Sequence, residues 1–161
     1  WSVLAQGISL NVNYSIGMIT LVISIIVLIL WIPLKQKPGM GTIFNALIIA
    51  GMIDLCINFI PTPENYISQL TLAALAVLIV GLGGGIYLVA NLGPGPRDGL
   101  MIGLQEKTNF PIALVRAFIE ISVVSIGWYL GGTVGLGTLF FAFGIGPAVA
   151  LGLFLVDKVF N

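Results

Sequence analysis

The chain has 161 residues, of which 58% are hydrophobic and 7% charged, and its mean hydropathy is +1.14. A soluble globular domain carries about 25% charged residues, so this composition excludes such a domain and indicates that lipid is the main solvent. Six basic residues balance six acidic ones, which excludes a basic surface for nucleic acid. Histidine is absent and Cys56 is the single cysteine, so we expect no disulfide framework, no metal and no cofactor.

Five apolar segments are each long enough to cross a bilayer, which takes about 20 residues as a helix. Backbone polar groups in lipid must be hydrogen-bonded within their own segment, so these runs are predicted to be helical. The predicted spans are residues 15–34, 41–60, 68–92, 111–131 and 137–157. Residues 97–106 and their counterparts at the start of the chain are too short to span, and we expect short helical or re-entrant segments there. The fold class is therefore an all-α membrane protein, a polytopic helical bundle that forms one integral membrane domain over residues 1–161.

Basic residues indicate how the helices are oriented. Threading the five spans alternately places every lysine and arginine on one side, and short positively charged loops stay in the cytoplasm. The residues expected on the cytoplasmic side are Lys35, Lys37, Arg97 and Lys107, with Lys158 and the C-terminus. Trp1 and Glu64 are expected on the external side.

The chain matches itself at an offset of 96 residues. Gly39-Met-Gly-Thr-Ile-Phe-Asn-Ala46 aligns with Gly135-Leu-Gly-Thr-Leu-Phe-Phe-Ala142, and Trp1 aligns with Arg97. The glycines and the threonine match as well as the aliphatic residues do, which favours a true internal repeat.

This repeat predicts the architecture of the bundle. We assign residues 1–65 to an incomplete first repeat and residues 66–161 to the second. The helix that would match residues 68–92 precedes Trp1, so we expect six helices in the intact protein. Each repeat then holds three spans, and an odd number inverts the second repeat relative to the first. Inverted repeats with short broken segments recur in secondary transporters, although a duplicated bundle with no transport role remains the alternative.

Several strings resemble a known family. They are Leu92-Gly-Pro-Gly-Pro-Arg-Asp-Gly-Leu-Met-Ile-Gly-Leu104, Arg116-Ala-Phe-Ile-Glu120, Gly127-Trp-Tyr-Leu-Gly-Gly-Thr-Val-Gly-Leu-Gly-Thr138, the segment that begins at Trp1, and Pro38-Gly-Met-Gly-Thr42. Together they are similar to the YczE-like branch of the YczE/YyaS/YitT membrane proteins, and the resemblance covers nearly the whole chain. It implies a multi-pass protein of the bacterial inner membrane whose activity is undefined. It also implies a link to secondary-metabolite production without a settled mechanism. The chain departs from that family by lacking its first helix.

Two charges on the fourth span are candidates for a substrate site. Arg116 and Glu120 are four residues apart, so they share one helix face. Charges within a span cost about 2.5 to 3.5 kcal/mol on insertion scales and usually face the bundle interior. Glu120 is then a titrating carboxylate and Arg116 an anion anchor, or the two form a permanent ion pair that fixes helix register. Arg116 could instead extend to the surface.

Other polar residues have a structural and a functional interpretation. Asp54 lies deep in the second span, where it is either part of a wet vestibule or hydrogen-bonded to a neighbouring backbone. Arg97 and Asp98 open the short segment after Gly-Pro-Gly-Pro, where Asp98 caps the helix or the helix end holds an anion or docks a partner. Thr42 and Thr138, in the two Gly-x-Gly-Thr turns, are substrate-ligand candidates.

Two functional hypotheses follow. The first is a small secondary transporter or permease that moves a solute through a site between the repeats, lined by Glu120, Arg116 and Asp54. The second is a membrane scaffold or regulator that docks a cytoplasmic protein on the charged segment from Arg97 to Lys107. We expect no enzyme activity, because no nucleophile with a base and an orienting group is evident. The sequence leaves the solute, the coupling ion and the oligomeric state open.

Overall fold

The structure is a computed structural model that describes residues 1–60 and 63–160. Within these residues it contains seven helices and no strand. The helices are α1 (Ser2–Val12), α2 (Ile16–Leu34), α3 (Met40–Phe59), α4 (Tyr66–Val89), α5 (Pro96–Thr108), α6 (Ile112–Tyr129) and α7 (Leu136–Phe160). All but α1 and α5 are long and apolar enough to cross a membrane. The five predicted spans and the two short helical segments are confirmed to within a few residues at each end.

The helices pack as two compact units. The first unit, Trp1–Ile60 with Leu92–Thr133, holds α1, α2, α3, α5 and α6. The second unit consists of α4 and α7.

Each short helix of the first unit turns back into a spanning helix. α1 is followed by its C-cap residue Asn13, and α5 is followed by its C-cap residue Asn109. Both asparagines adopt left-handed backbone conformations, with φ of 55° and 58°. Asparagine enters this region more readily than most residues, because its short side chain can hydrogen-bond locally. Ser15 then starts α2 by accepting a hydrogen bond from the backbone N–H of Met18, at 3.2 Å.

Each short helix also packs alongside the spanning helix that follows the other short helix. α1 runs next to α6, where a Cβ on Gly127 would lie 2.5 Å from the Leu4 backbone nitrogen. Two turns further along α1, the Asn11 amide donates to the Leu130 carbonyl at 2.8 Å. α5 runs next to α2 in the same way, and the Trp31 indole donates to the Pro96 carbonyl at 2.9 Å.

The core of the first unit lies where these four helices meet. Its buried residues are Ala5, Ile19, Ile23, Val27, Trp31, Leu100, Met101, Val115, Ile119 and Val123. Trp31 is only 1% exposed, and a Cβ on Gly99 would collide with its ring. The Trp31 ring therefore occupies space that a side chain on α5 would need, and it fixes the position of α5 against α2.

The second unit is held together by small residues. Gly81 packs against Ala148, and a Cβ on Gly85 would lie 2.7 Å from the backbone of Gly152. Glycines four apart on one helix face let two helices approach closely in lipid, where helix association depends on close packing. The spacing of Gly81 and Gly85 is thus explained by the contact between α4 and α7.

Candidate functional site

The N-terminal ends of α1 and α5 meet inside the first unit. The Arg97 guanidinium carbon lies 5.2 Å from the centroid of the Trp1 ring, within the range of a cation–π contact. The Trp1 indole N–H donates to Oε1 of Glu120 on α6, at 3.2 Å. The first turn of each short helix and the middle of α6 therefore contribute to one site.

Two further charges complete this site. Arg116 on α6 and Arg97 both interact electrostatically with the Asp98 carboxylate. We call the five residues Trp1, Arg97, Asp98, Arg116 and Glu120 the charged cluster. Trp1, Arg97 and Glu120 are half-buried, whereas Asp98 and Arg116 are exposed.

The arginine at the centre of this cluster is partly removed from water. Burial lowers the pKa of Arg97, and the nearby carboxylates of Glu120 and Asp98 oppose that shift. An arginine stays protonated even when its pKa falls, since the ordinary value lies far above neutral pH. Arg97 therefore remains a cation that is short of water, and Glu120 and Asp98 partly compensate for the lost hydration.

The two helix ends add positive potential at the same place. The N-terminus of a helix carries about half a positive charge from its aligned peptide dipoles. Neither α1 nor α5 has a side-chain cap at this end. The residue before α5 is Gly95, and Asp98 is the third residue of the helix, so the capping interpretation of Asp98 is wrong. Its carboxylate still lies in the first turn, where it faces the positive end of the dipole.

The predicted separation of Arg97 and Trp1 is also wrong. The charge pattern placed them on opposite sides of the membrane, but their side chains are in contact. A hydrocarbon core about 30 Å thick cannot lie between two such residues. The charge-based prediction placed the short segments in surface loops on opposite sides. In the structure, the first residues of both short helices meet at a common point.

Arg116 and Glu120 occupy one side of α6, as their spacing predicts. The hydrogen bond that the structure gives Glu120 comes from Trp1, and Arg116 interacts with Asp98. Both arginines therefore belong to a shared cluster with two carboxylates.

Asp54 lies at a different place, against the start of α2. Its two carboxylate oxygens accept from the Ser15 hydroxyl at 2.6 Å and from the backbone N–H of Gly17 at 2.7 Å. Negative charge at a helix N-terminus is stabilised by the dipole and by the free N–H groups. Asp54 thus pairs across helices with a backbone group and a hydroxyl. A pocket of about 360 Å³ opens beside it, lined by Ser9, Ser15, Ile16, Asp54, Ile57 and Asn58.

Thr42 and Thr138 lie in the first turns of α3 and α7, each as the third residue of its helix, and not in the connecting turns where they were expected. Thr42 is fully buried; its hydroxyl donates to the Pro94 carbonyl at 2.7 Å and accepts from the Gly39 N–H at 3.1 Å. It therefore holds the segment that leads into α5. Thr138 belongs to the second unit, where its backbone N–H donates to the Gly135 carbonyl at 3.0 Å.

Sequence reasoning missed two tryptophans at this site. Trp1 supplies both the indole donor to Glu120 and the ring under Arg97, and Trp31 holds the first residue of α5. The available signal was the alignment of Trp1 with Arg97 at the 96-residue offset, which equates the starts of the two short helices. Among residues 1–60 and 63–160, no group of three or more His, Cys, Asp or Glu residues is placed to hold a metal ion.

Comparison with known proteins gives a family. Residues 1–153 match a family of unknown function, DUF6198. The chain is 38% identical over 159 residues to an uncharacterized protein of Haemophilus influenzae, covering 99% of this chain and 73% of that protein. It is 33% identical over 105 residues to the uncharacterized membrane protein YczE of Bacillus subtilis, covering 65% of this chain and 49% of that protein. No solved structure matches.

Proposed function

The chain belongs to the family DUF6198 and is a YczE-like membrane protein, and we propose that it is a small secondary transporter and not an enzyme. The observation that carries this proposal is the meeting of two helix N-termini at Glu120. Broken or short helices that end near the bilayer midplane form the solute sites of many secondary transporters. Glu120 lies eight residues after the start of α6 at Ile112, which is about 12 Å along the helix axis and close to the midplane.

An inverted repeat is part of this proposal. α2 and α6 start 96 residues apart, at Ile16 and Ile112, and so do α3 and α7, at Met40 and Leu136. The packing is reciprocal in the first unit, since α1 lies along α6 and α5 lies along α2. Two repeats of opposite orientation would pack in this reciprocal way. The packing therefore supports a solute site where α1 and α5 begin.

The basic loops set the proposed orientation in the bacterial inner membrane. Lys35, Lys37, Lys107 and the C-terminus lie on the cytoplasmic side, since short basic loops are retained there. Glu64 lies on the external side. Trp1 and Arg97 lie near the middle, which their mutual contact supports.

A transport assay with a matched pair of variants tests this function. The protein is reconstituted into liposomes, incubated with a mixture of metabolites, and the trapped solutes are identified by mass spectrometry. Glu120→Gln should abolish the uptake of at least one solute, while Glu64→Gln, in an exposed loop, should leave it unchanged. If the wild-type liposomes take up nothing beyond protein-free liposomes, the transporter proposal is refuted.

One observation favours the scaffold as a second candidate. The Gln36 amide donates to the Glu106 carboxylate at 2.6 Å, which joins the ends of α2 and α5 in one exposed charged surface with Lys35 and Lys107. A docked protein would be recovered with the wild type and lost with Lys107→Glu, whereas Glu120→Gln would not affect it. Recovery of the same proteins with both variants would exclude docking at this surface.

A further inference from the structure

The charged cluster contains equal numbers of positive and negative side chains. Arg97 and Arg116 face Asp98 and Glu120, so these four side chains together carry no net charge when all are ionised. The α-amino nitrogen of Trp1 also lies near Glu120 and Arg97, and it adds no charge where a residue precedes Trp1. A fifth charge beside the half-buried Arg97 and Glu120 is costly unless it is compensated. Any charged solute that binds here must therefore bring, or be accompanied by, a charge of opposite sign.

Arg97 is the group in this cluster that is best placed to bind a solute. Its guanidinium packs on the Trp1 ring, 5.2 Å from the ring centroid, with the carboxylates of Glu120 and Asp98 nearby. A guanidinium has five N–H donors in a planar fork that matches a carboxylate. The N–H groups at the start of α5 lie beside it without a side-chain cap, and they add positive potential.

Glu120 is the group that can compensate the charge of an anion. Trp1 engages only its Oε1 atom, which leaves Oε2 able to take a proton. The helices packed against α6 within the first unit are α1 and α5. α1 has no charged residue, α5 brings Arg97 and Asp98, and α6 itself carries Arg116. A proton on Glu120 leaves these two arginines facing one carboxylate, a surplus of one positive charge.

We propose that the cluster binds a small monocarboxylate together with one proton. The carboxylate of the solute pairs with Arg97, and one proton from water binds Oε2 of Glu120, so the cluster stays neutral. Trp1 holds both partners, because its ring supports the guanidinium and its indole N–H still donates to Oε1. This inference rests on the proposed transport function for its site, and it identifies the class of solute and the coupling ion.

Binding in detergent tests this inference separately from transport. The probes are pyruvate, lactate and benzoate, measured by calorimetry with the wild-type chain in two buffers of different ionisation enthalpy. One proton should be taken up per bound anion when Glu120 is ionised in the free protein. In that range of pH the affinity should fall about tenfold for each unit by which the pH rises, because one proton is linked to binding.

Three variants separate the roles of the residues. Glu120→Gln mimics the protonated carboxyl, so it should retain binding with no proton uptake and no dependence on pH. Arg97→Gln should weaken binding about tenfold or more, since it removes a charge-assisted hydrogen bond. Lys107→Gln, at the exposed end of α5, is the control and should bind as the wild type does.

The outcomes divide clearly. Binding of none of the three anions, equal binding by Arg97→Gln, or binding without proton uptake would overturn the inference. Proton-linked binding without uptake into liposomes would support the inference and refute the transporter. Glu120-dependent uptake of other solutes, with no binding of the three anions, would support the transporter and overturn the inference.

Discussion

The close contact between α1 and α6 predicts a large effect of one methyl group. A Cβ on Gly127 would lie 2.5 Å from the Leu4 nitrogen and 2.6 Å from the Val3 carbonyl carbon, so the backbone of α1 must move away by about 1 Å to reach ordinary van der Waals separation. Overpacking of this kind costs about 1–3 kcal/mol. Alanine recovers about 1 kcal/mol of helix propensity over glycine. We expect Gly127→Ala to lower the free energy of unfolding by up to about 2 kcal/mol.

Gly51→Ala is the matched control, since a Cβ at Gly51 on α3 meets no atom within 4 Å. It should keep the gain in helix propensity and raise the free energy of unfolding by up to about 1 kcal/mol. The assay is thermal unfolding of the purified protein in detergent, followed by the fraction that remains monodisperse on size exclusion. If Gly127→Ala proves as stable as Gly51→Ala, α1 does not lie against α6 as described.

Three further stability predictions use the same assay. Asp54→Ala should cost about 1–3 kcal/mol because it leaves an N–H at the start of α2 unpaired, and Asp54→Asn, which keeps one acceptor, should cost less; equal losses would contradict the hydrogen-bonded role. Trp31→Phe should cost about 2 kcal/mol through the lost indole hydrogen bond and a small cavity, and an unchanged stability would show that α5 is held by other contacts. Gly85→Ala should destabilise the protein by about 1–3 kcal/mol. Gly83→Ala, on the same helix, should not, because a Cβ at Gly83 would meet no atom within 4 Å; the reverse order would refute the packing of α4 on α7.

The spanning helices could be predicted because lipid leaves few choices. A run of about 20 apolar residues must form all its backbone hydrogen bonds internally, so the spans near residues 16–34 and 112–129 follow from length and hydropathy alone. The two short helices could be predicted for the same reason, as segments that cannot span.

The site could not be predicted in full, because its contacts join residues far apart in the chain. Trp1 and Glu120 are separated by 119 positions, and nothing local to either residue indicates the other. Arg97 follows a Gly-Pro-Gly-Pro sequence that is typical of a surface turn, and this hid its position beside Trp1. For Asp54 the sequence left a wet vestibule and a hydrogen bond to a neighbouring backbone as alternatives. Its partners, the Ser15 hydroxyl and a glycine N–H, carry no charge for a sequence to reveal.

Cross-linking between the starts of α1 and α5 tests the central claim most directly. In a Cys56→Ser background, Trp1→Cys is combined either with Arg97→Cys or with Lys107→Cys, which lies ten residues further along α5, about 15 Å away. A short bifunctional thiol reagent is applied to the protein in native membranes, and intramolecular cross-links are detected by intact mass and peptide mapping. The account predicts rapid cross-linking of the first pair and little of the second. Equal cross-linking of both pairs, or of the second pair alone, would contradict a shared site at Glu120.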